Sequence, residues 1–527
     1  MKTAIIRRVL LVSTVLTASL TSAANGILAS AVAGQLRGVA RPSGGAEFLG
    51  IPYAQPPVGD LRWHEPAPMT PWTGVRDAQT FGAPCAQKIQ GDWNRRDAET
   101  GKEDCLFLNV MTPVWPPKEK LPVMVWLHGG GNTGGTASSA LYKDGTLVEH
   151  GVILVTVNYR LGVFGFFAHP QLTAESAHHA SGNYGLLDQI AALRWVRDNI
   201  ANFGGDPNNV TLFGQSAGAQ DAGLLMTSPL AKGLFHRVIA ESGSALAPLL
   251  PPLSAAEKSG ERTAESLKAP AGDVLKYLRQ ISPQDVLSGL PHQDFDQIPM
   301  FSPILDGYVF TRSPAKVFML GEEAPVPLMI GTTTREFGTS ASPQAIRQWI
   351  NAVTSSQSGK ALALYGFAGD GKGATDPVYG SGADQWFADF VFRCPVTAQA
   401  AWHSAAHHPV FQYEFQRVIP GHEAEGSVHS ADLPYVFGYY PKGGNISGKF
   451  NDTDFRISDQ MEKYWTAFAK TGDPNSASSP NWPTFNPSES FLRFTNDGRA
   501  LPTFGGLREP QCSLLREVIR KQAEASQ

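Results

Sequence analysis

A serine framed by glycines follows directly after an apolar run in this chain. Residues 214–218 read Gly-Gln-Ser-Ala-Gly, and residues 210–213 before them are typical of a buried strand. This is the pattern of a nucleophile elbow, a tight strand-to-helix turn that raises the hydroxyl of Ser216 above a sheet. Gly214 and Gly218 leave room where strand and helix crowd together. The motif predicts an acyl-transfer enzyme if its context agrees, because with 53 glycines in 527 residues it also arises by chance.

A second glycine-rich element supplies that context. His-Gly-Gly-Gly at 128–131 follows the apolar run 123–127, so the loop lies at the end of another predicted strand. In acyl transfer the carbonyl oxygen gains negative charge, and each backbone amide aimed at that oxygen is worth about 10² to 10³ in rate. A glycine triplet alone is usually an ordinary turn. Together with the elbow, it predicts amide donors for an oxyanion.

The rest of the chain alternates between patterns of strand and helix. The clearest helix is predicted over 184–202, where apolar residues recur at steps of three and four, and it should pack one face against a sheet. Residues 252–290 and 342–400 are predicted to be helical insertions, either caps over a site or peripheral packing. The alternation indicates a mainly parallel α/β sheet, with strands predicted over 123–127, 152–157, 210–213, 238–240, 326–330 and 410–415.

From Gln35 to Glu517 the chain resembles the type-B carboxylesterase family, which includes carboxylesterases, cholinesterases and some lipases. The resemblance implies an α/β-hydrolase fold with a mainly parallel central sheet, flanking helices and helical cap insertions. Five segments carry it: Gly-Ile-Pro-Tyr-Ala at 50–54 with Pro-Pro-Val-Gly at 56–59, Glu-Asp-Cys-Leu-Phe-Leu-Asn-Val at 103–110, the His-Gly-Gly-Gly loop, Asn-Tyr-Arg at 158–160 with Phe-Gly-Phe at 164–166, and Gly-Asn-Tyr-Gly-Leu-Leu-Asp-Gln at 182–189.

The resemblance also implies the acid of a catalytic triad, which in this fold follows the serine and precedes the histidine. Gly-Thr-Thr-Thr-Arg-Glu at 331–336 resembles the family's acid loop, so Glu336 is the predicted acid. The family normally has glycine directly after the acid, where this chain has Phe337. Asp306 is the rival acid, at a position that is structural in the family. Two other departures are Phe107, where the family usually has Tyr or Thr, and Asn132, where its oxyanion loop usually has Phe.

The predicted base is His429, because residues 426–438 closely resemble the family's histidine loop. His422, His407 and His408 lack its flanking pattern, and a lone loop histidine is usually a solvated surface group. In this reading His429 takes the proton of Ser216 and returns it to the leaving alcohol, and the acyl-enzyme is then hydrolysed. No metal or cofactor is needed. The resemblance assigns the oxyanion donors to the amides of three residues, Gly130, Gly131 and Ala217.

The beginning of the chain predicts export. Three basic residues precede an apolar run over 9–20 and small residues at 22–24, the pattern of a cleavable secretory signal. We therefore predict a leader over 1–24, one α/β-hydrolase domain over 25–527, and a secreted or periplasmic location. Removing the leader takes away three positive charges and lowers the net charge from −4 to −7. A mildly acidic chain without basic clusters argues against a nucleic-acid partner, and no run is long enough for a stable membrane anchor.

Four cysteines in an exported chain suggest two disulfides, for which the count alone allows three connectivities. The family resemblance selects Cys85 with Cys105 and Cys394 with Cys512. The alternative is four unpaired thiols in the core.

The expected substrate is a small-molecule carboxylic ester. Cholinesterases have glutamate before the nucleophile, whereas this chain has the neutral Gln215, which removes a charge that favours cationic substrates. The first hypothesis is thus a carboxylesterase for neutral or anionic esters, including aromatic esters and polyesterified natural products. The alternatives are an interfacial lipase for long-chain acyl esters and a catalytically silent cholinesterase-like binding module. The sequence does not indicate an oligomeric state.

Overall fold

The computed structural model describes residues 26–290, 301–476 and 479–526. The predicted leader, residues 1–24, lies outside these ranges. The described residues form fourteen strands: β1 Leu28–Ala31, β2 Gly34–Arg37, β3 Val39–Ala40, β4 Ala46–Pro52, β5 Val75–Asp77, β6 Phe107–Thr112, β7 Leu121–Leu127, β8 Ile153–Val157, β9 Gly205–Gln215, β10 Arg237–Glu241, β11 Leu328–Thr333, β12 Val410–Phe415, β13 Phe491–Phe494 and β14 Ala500–Thr503.

Eleven of these strands form one sheet in the order β14-β13-β12-β11-β10-β9-β7-β8-β6-β4-β3, and β1, β2 and β5 form a small second sheet. The strands from β8 to β13 in this order pair in parallel, and antiparallel pairs occur only towards the two edges of the large sheet. The carboxyl ends of the central parallel strands therefore meet at one edge of the sheet, which is where ligands bind in open α/β sheets.

The helices surround this sheet. They are α1 Arg95–Thr100, α2 Ala140–Lys143, α3 Gly162–Phe166, α4 Pro170–Glu175, α5 Tyr184–Asn199, α6 Ala217–Leu225, α7 Leu253–Ser266, α8 Val274–Gln280, α9 Pro283–Gly289, α10 Pro314–Leu320, α11 Pro343–Thr354, α12 Ser358–Leu364, α13 Gly382–Ala388, α14 Cys394–Ala405, α15 Leu433–Phe437, α16 Asp452–Thr471 and α17 Glu509–Ala525. A π-helix over Asp389–Arg393 joins α13 to α14. Short 3₁₀ turns occur at Gly59–Leu61, Leu147–His150, Ile200–Phe203, Pro229–Ala231 and Ser355–Gln357.

The two faces of the sheet bury different side chains of the same strands. In β7, Val123 and Val125 join the apolar cluster that contains α5 and α6, whereas Met124 and Trp126 join the cluster that contains α16. Successive side chains of a strand point to opposite faces, so a strand buried on both faces reads as a continuous apolar run. This is why the sequence shows the central strands so clearly.

The predicted strands overlap observed ones, and two predictions need correction. The strand predicted from 326 begins at Leu328 instead, because Pro327 has no N–H to donate to a ladder. The helix predicted over 184–202 ends at Asn199 and continues as a 3₁₀ turn. Its burial also extends beyond one face, because twelve of its sixteen residues are buried. Helix α3 is one of the elements that pack against it. Both predicted insertions are helical, as α7 to α9 and α11 to α14 show.

Two disulfides join segments that are distant along the chain. Cys85 bonds to Cys105 and Cys394 bonds to Cys512, the pairs that the family resemblance implies. The second ties the start of α14 to α17 and closes a loop of 118 residues. In the loop-entropy model each bond stabilises the fold by roughly 3 to 5 kcal/mol. Among the described residues, no helix combines the length and the apolar character needed to cross a membrane.

Candidate active site

Ser216 lies in a strained turn between β9 and α6. Its φ of 58° and ψ of −125° fall in a region that side chains other than glycine rarely adopt. The turn is tight, because a Cβ on Gly218 would lie 2.0 Å from the carbonyl oxygen of Leu127 in the neighbouring strand. Any larger residue at 218 would push the helix away from the sheet. The sequence motif thus forms the strand-turn-helix structure of a nucleophile elbow.

The His-Gly-Gly-Gly loop follows β7 and lies beside the elbow. Gly130 has a φ of +112°, and a Cβ there would approach the carbonyl oxygen of Gly134 to 2.2 Å, so glycine is required. The backbone N–H groups of Gly130, Gly131 and Ala217 donate to no acceptor among the described residues. Backbone N–H groups are nearly always paired with protein or water, so these three amides have donor capacity left for a ligand or for water.

Two buried contacts hold this loop in place. The imidazole of His128 stacks on Tyr159, with ring centroids 4.5 Å apart, and burial lowers the pKa of His128 to about 4. The side-chain amide of Asn132 donates to the carboxylate of Asp221 in α6 at 2.9 Å. Burial raises the pKa of Asp221 to about 7. Asn132 therefore ties the loop to the helix that follows Ser216.

The predicted acid and base are in direct contact. Nδ1 of His429 lies 2.5 Å from Oε2 of Glu336, and both side chains are buried. The second oxygen of Glu336 accepts the hydroxyl proton of Ser242 at 2.7 Å and the backbone N–H of Thr333 at 2.8 Å. The two loops also join through the backbone, because the N–H of His429 donates to the carbonyl oxygen of Glu336. Both oxygens of the Glu336 carboxylate are therefore held by hydrogen bonds.

The other nitrogen of His429 faces the elbow. Nε2 lies 3.0 Å from the side-chain nitrogen of Gln215, the residue directly before Ser216, and no hydrogen bond joins the Ser216 hydroxyl to the ring in the described structure. An amide nitrogen can only donate, so Nε2 accepts and the ring proton lies on Nδ1. This is the tautomer that a general base needs, with the Nε2 lone pair directed towards the elbow.

Aromatic rings cover the imidazole. The ring centroid of Phe337 lies 4.2 Å from that of His429, and Phe392 lies 4.9 Å away. Both phenylalanines are partly exposed. Phe337 stands where the family normally has glycine, so this departure adds an apolar wall beside His429.

Two further buried acids lie near this pair. Glu241 accepts from the indole N–H of Trp465, and Asp432 accepts from the hydroxyl of Tyr413. Burial and the nearby charge of Asp432 raise the pKa of Glu241 well above its ordinary range. Burial and the charge of Glu336 raise the pKa of Asp432 to about 6.

The rival residues lie elsewhere. The buried carboxylate of Asp306 accepts the backbone N–H groups of Tyr308 and Phe310, so it closes a turn. His422 donates from Nε2 to the carbonyl oxygen of Ser447. His407 is exposed. These contacts leave Asp306 and His422 with structural roles.

Sequence reasoning missed Ser242 and Arg393. Ser242 follows the carboxyl end of β10, at the same sheet edge as the elbow, and its φ of 53° marks a second strained turn. Arg393 donates to the carbonyl oxygens of Thr333 and Thr334 and so supports the acid loop. Ser242 could have been identified as a candidate from its position just after a predicted strand. Arg393 could not, because it lies in a π-helix that no sequence pattern indicated.

The fold and this edge of the sheet define an α/β-hydrolase. The chain belongs to the carboxylesterase family, whose model matches residues 26–514. It is accordingly a carboxylic-ester hydrolase, in agreement with its relatives.

Several relatives are named for ester or thioester hydrolysis. The chain is 34% identical to a fumonisin B1 esterase of Sphingopyxis macrogoltabida over 85% of its length and 83% of that protein. It is 36% identical to a medium-chain fatty acyl-CoA hydrolase precursor of Anas platyrhynchos, over 84% and 83%. It is 35% identical to a human cocaine esterase, over 86% and 85%.

Proposed function

We propose that this esterase works through a triad of Ser216, His429 and Glu336. The observation that carries the proposal is the contact between Glu336 and His429, with the Nε2 lone pair directed at the elbow of Ser216. Oγ of Ser216 attacks the ester carbonyl carbon while its proton moves to Nε2. That proton then passes to the leaving alcohol, and an acyl-enzyme remains. A water activated by the same nitrogen releases the acid and restores Ser216.

The contact with Gln215 belongs to the resting enzyme in this mechanism. When an ester binds, the hydroxyl of Ser216 replaces the amide of Gln215 as the donor to Nε2. The oxyanion is received by the amides of Gly130, Gly131 and Ala217, which the absence of other acceptors among the described residues supports. Preorganised donors of this kind need no rearrangement as charge develops.

The substrates that fit best are neutral or anionic esters with an aromatic or other apolar group. Gln215 contributes no negative charge next to His429, and Phe337 and Phe392 form apolar walls there. The relatives are named for fumonisin B1, fatty acyl-CoA and cocaine, so family membership alone does not select the substrate.

The export of the enzyme is part of the proposal. The pattern of residues 1–24 predicts a leader, and two disulfides are typical of proteins that leave the cytosol. Residues from 25 onward then act as one catalytic domain. Amino-terminal sequencing of the protein recovered outside the cytosol should begin near residue 25, and an uncleaved cytosolic protein would contradict this.

The test of the mechanism is the initial rate on p-nitrophenyl esters from acetate to palmitate, with Ser216→Ala as the blank. We expect a rate that depends on Ser216 and is highest for short acyl chains. A long-chain optimum with a jump above the micelle concentration would instead favour the lipase. Equal rates for the wild type and Ser216→Ala would refute the role of Ser216.

The charge preference is tested separately with Gln215→Glu. Acetylthiocholine is compared with its uncharged 3,3-dimethylbutyl thioester analogue on both enzymes. The wild type should prefer the uncharged ester, and Gln215→Glu should raise the relative kcat/KM for the cation. An unchanged ratio would show that residue 215 does not set this preference.

A further inference from the structure

A second cluster of histidine and glutamate lies at the opposite end of the sheet from Ser216. Glu323 precedes β11, His403 lies in α14, and His408 precedes β12. Glu336 and His429, in contrast, follow the carboxyl ends of β11 and β12. Since β11 and β12 pair in parallel along their length, the two clusters are separated by the full length of these strands.

Three potential metal ligands converge in this second cluster. One donor atom each from Glu323, His403 and His408 lies within 4.8 Å of the other two. Ligands around a tetrahedral ion at 2.0 to 2.1 Å are separated by about 3.4 Å. The three groups are therefore near enough to bind one divalent transition metal once side-chain shifts bring each pair of donor atoms to about that separation.

His403 is oriented as a metal-binding histidine usually is. Its ring is fully buried, and Nε2 lies 2.8 Å from the carbonyl oxygen of Val326, to which it donates. A hydrogen bond from one ring nitrogen to a carbonyl group fixes the orientation and directs the other nitrogen at the metal. That other nitrogen, Nδ1, now donates a hydrogen bond to Oε1 of Glu323 at 2.6 Å, so an ion bound between them would release the Nδ1 proton to solvent and move these two atoms apart.

The carboxylate of Glu323 can accept one more hydrogen bond or bind an ion. Its side chain is fully buried, and Oε2 has no hydrogen-bond partner among the described residues. A buried carboxylate oxygen without a partner is costly, because desolvation is not repaid. An ion between Glu323 and the two imidazoles would remove this cost.

His408 is the third potential ligand and lies at the protein surface. Its ring centroid lies 4.7 Å from that of His403, and the residue is partly exposed. Its ring nitrogens make no hydrogen bond to the described residues, so they are free to bind. Partial exposure at this residue gives an ion a path to two ligands that are otherwise enclosed.

We propose that Glu323, His403 and His408 bind one divalent transition-metal ion, with zinc as the best match. Two imidazoles and one carboxylate are ligands typical of zinc and related ions, whereas calcium and magnesium prefer oxygen ligands alone. The ion joins the segment after α10, helix α14 and the segment just before β12. Because the site lies away from Ser216, its role is to stabilise this end of the sheet, and it takes no part in ester hydrolysis.

The test is zinc binding to the full-length enzyme after its metals have been removed with dipicolinic acid. Zinc content is measured by plasma mass spectrometry after dialysis against ZnCl₂, and the dissociation constant by competition with a chromophoric chelator. Cobalt(II) gives a second readout, since ligation by protein changes its visible absorption. The variants are His408→Ala and the matched control His407→Ala, which removes the exposed neighbouring imidazole.

We expect one zinc per chain and a higher Tm with zinc in the wild type and in His407→Ala. His408→Ala should bind zinc at least about tenfold more weakly and should lose the cobalt spectrum. The p-nitrophenyl esterase rate of His407→Ala serves as the check on its folding. Failure of the wild type to bind zinc or cobalt, or equal binding by His408→Ala, would overturn the proposal and leave an ordinary buried ion pair.

Discussion

In the part of the chain that the structure describes, two buried pairs of histidine and glutamate have nearly the same distance between imidazole and carboxylate. Glu336 and His429 are 2.5 Å apart, and Glu323 and His403 are 2.6 Å apart. Both pairs flank the strands β11 and β12, one at each end. A short distance between carboxylate and imidazole therefore does not identify a catalytic pair in this molecule.

The pairs differ in what surrounds the two partners. Nε2 of His429 accepts from Gln215 and faces the elbow, whereas Nε2 of His403 donates to the carbonyl oxygen of Val326. Glu336 is held by two donors on its second oxygen, whereas the second oxygen of Glu323 has none among the described residues. A base needs an available lone pair beside a nucleophile, and of the two histidines only His429 has that arrangement.

The largest effect is expected for Glu336→Gln, which tests the proposed catalytic pair. Ser242 and Thr333 both donate to the position of Oε1, so the carbonyl oxygen of the new amide takes that position. Its NH₂ group then faces Nδ1 of His429 and forces the ring proton onto Nε2. A base with the wrong tautomer should lower kcat by about 10⁴. The measurement is kcat on p-nitrophenyl acetate, with circular dichroism as the control for folding.

A loss of less than tenfold in a folded Glu336→Gln enzyme would show that the carboxylate does not set the tautomer of His429. The acid of the triad would then have to be sought among the other buried carboxyl groups near the ring, Glu241 and Asp432.

Glu323→Gln, measured in chelator, is the matching change in the second pair. No fixed donor orients the new amide, so its oxygen can still accept from Nδ1 of His403. The buried imidazole of His403 nevertheless loses its negatively charged partner. This loss should lower the free energy of unfolding by about 3 kcal/mol. Urea denaturation of the two enzymes measures the difference. A loss of turnover comparable to that of Glu336→Gln would show that the two pairs are not functionally separate.

The segments that carry the proposed catalytic residues were largely predictable as structure, because their signals are local. Gly218 is dictated by its contact with β7 and Gly214 by its contacts with α6 and β7, and continuous apolar runs revealed the central strands. Glu336 and His429 followed from motifs of the family. Each of these residues lies within a few positions of the pattern that identifies it.

The supporting residues were not predictable in the same way. Ser242 reaches Glu336 from 94 positions away, and Glu323 reaches His403 from 80. Such partners depend on how loops at a sheet edge fold over one another, and no period or composition encodes that. His408 shows the limit most clearly, since its place in a loop before a strand gave no sign of the buried carboxylate near it.

The buried acidic groups near Glu336 and His429 predict an effect of pH on stability. The folded pKa of Asp432 is about 6, above its ordinary value of 3.8, so the protonated form is favoured by folding. Its contribution to stability is complete below pH 4 and is lost as the pH rises through 6. The loss amounts to about 3 kcal/mol for a shift of two pH units.

Asp432→Asn should remove this loss. The difference in Tm between the variant and the wild type should therefore become more positive from pH 4 to pH 7. Differential scanning calorimetry at half-unit intervals measures it, with Asp452→Asn on the exposed start of α16 as the control. A difference that does not vary with pH would show that Asp432 is ionised in the folded enzyme throughout this range.

The smallest effect is expected for Ser242→Ala, which makes Glu336 more like Glu323 by removing one of its two fixed donors. Thr333 still holds Oε1, so kcat/KM should fall by only about tenfold, the equivalent of one hydrogen bond. When Ser242→Ala is added to Glu336→Gln, the further loss in kcat/KM should be smaller, or activity should be partly restored. Without the Ser242 donor, the amide of Gln at 336 is freer to turn its oxygen towards His429. A double-mutant cycle measures this coupling, with Ser244→Ala, whose hydroxyl donates to Gln399, as the control. Strictly additive losses would mean that Ser242 does not act through the orientation of residue 336.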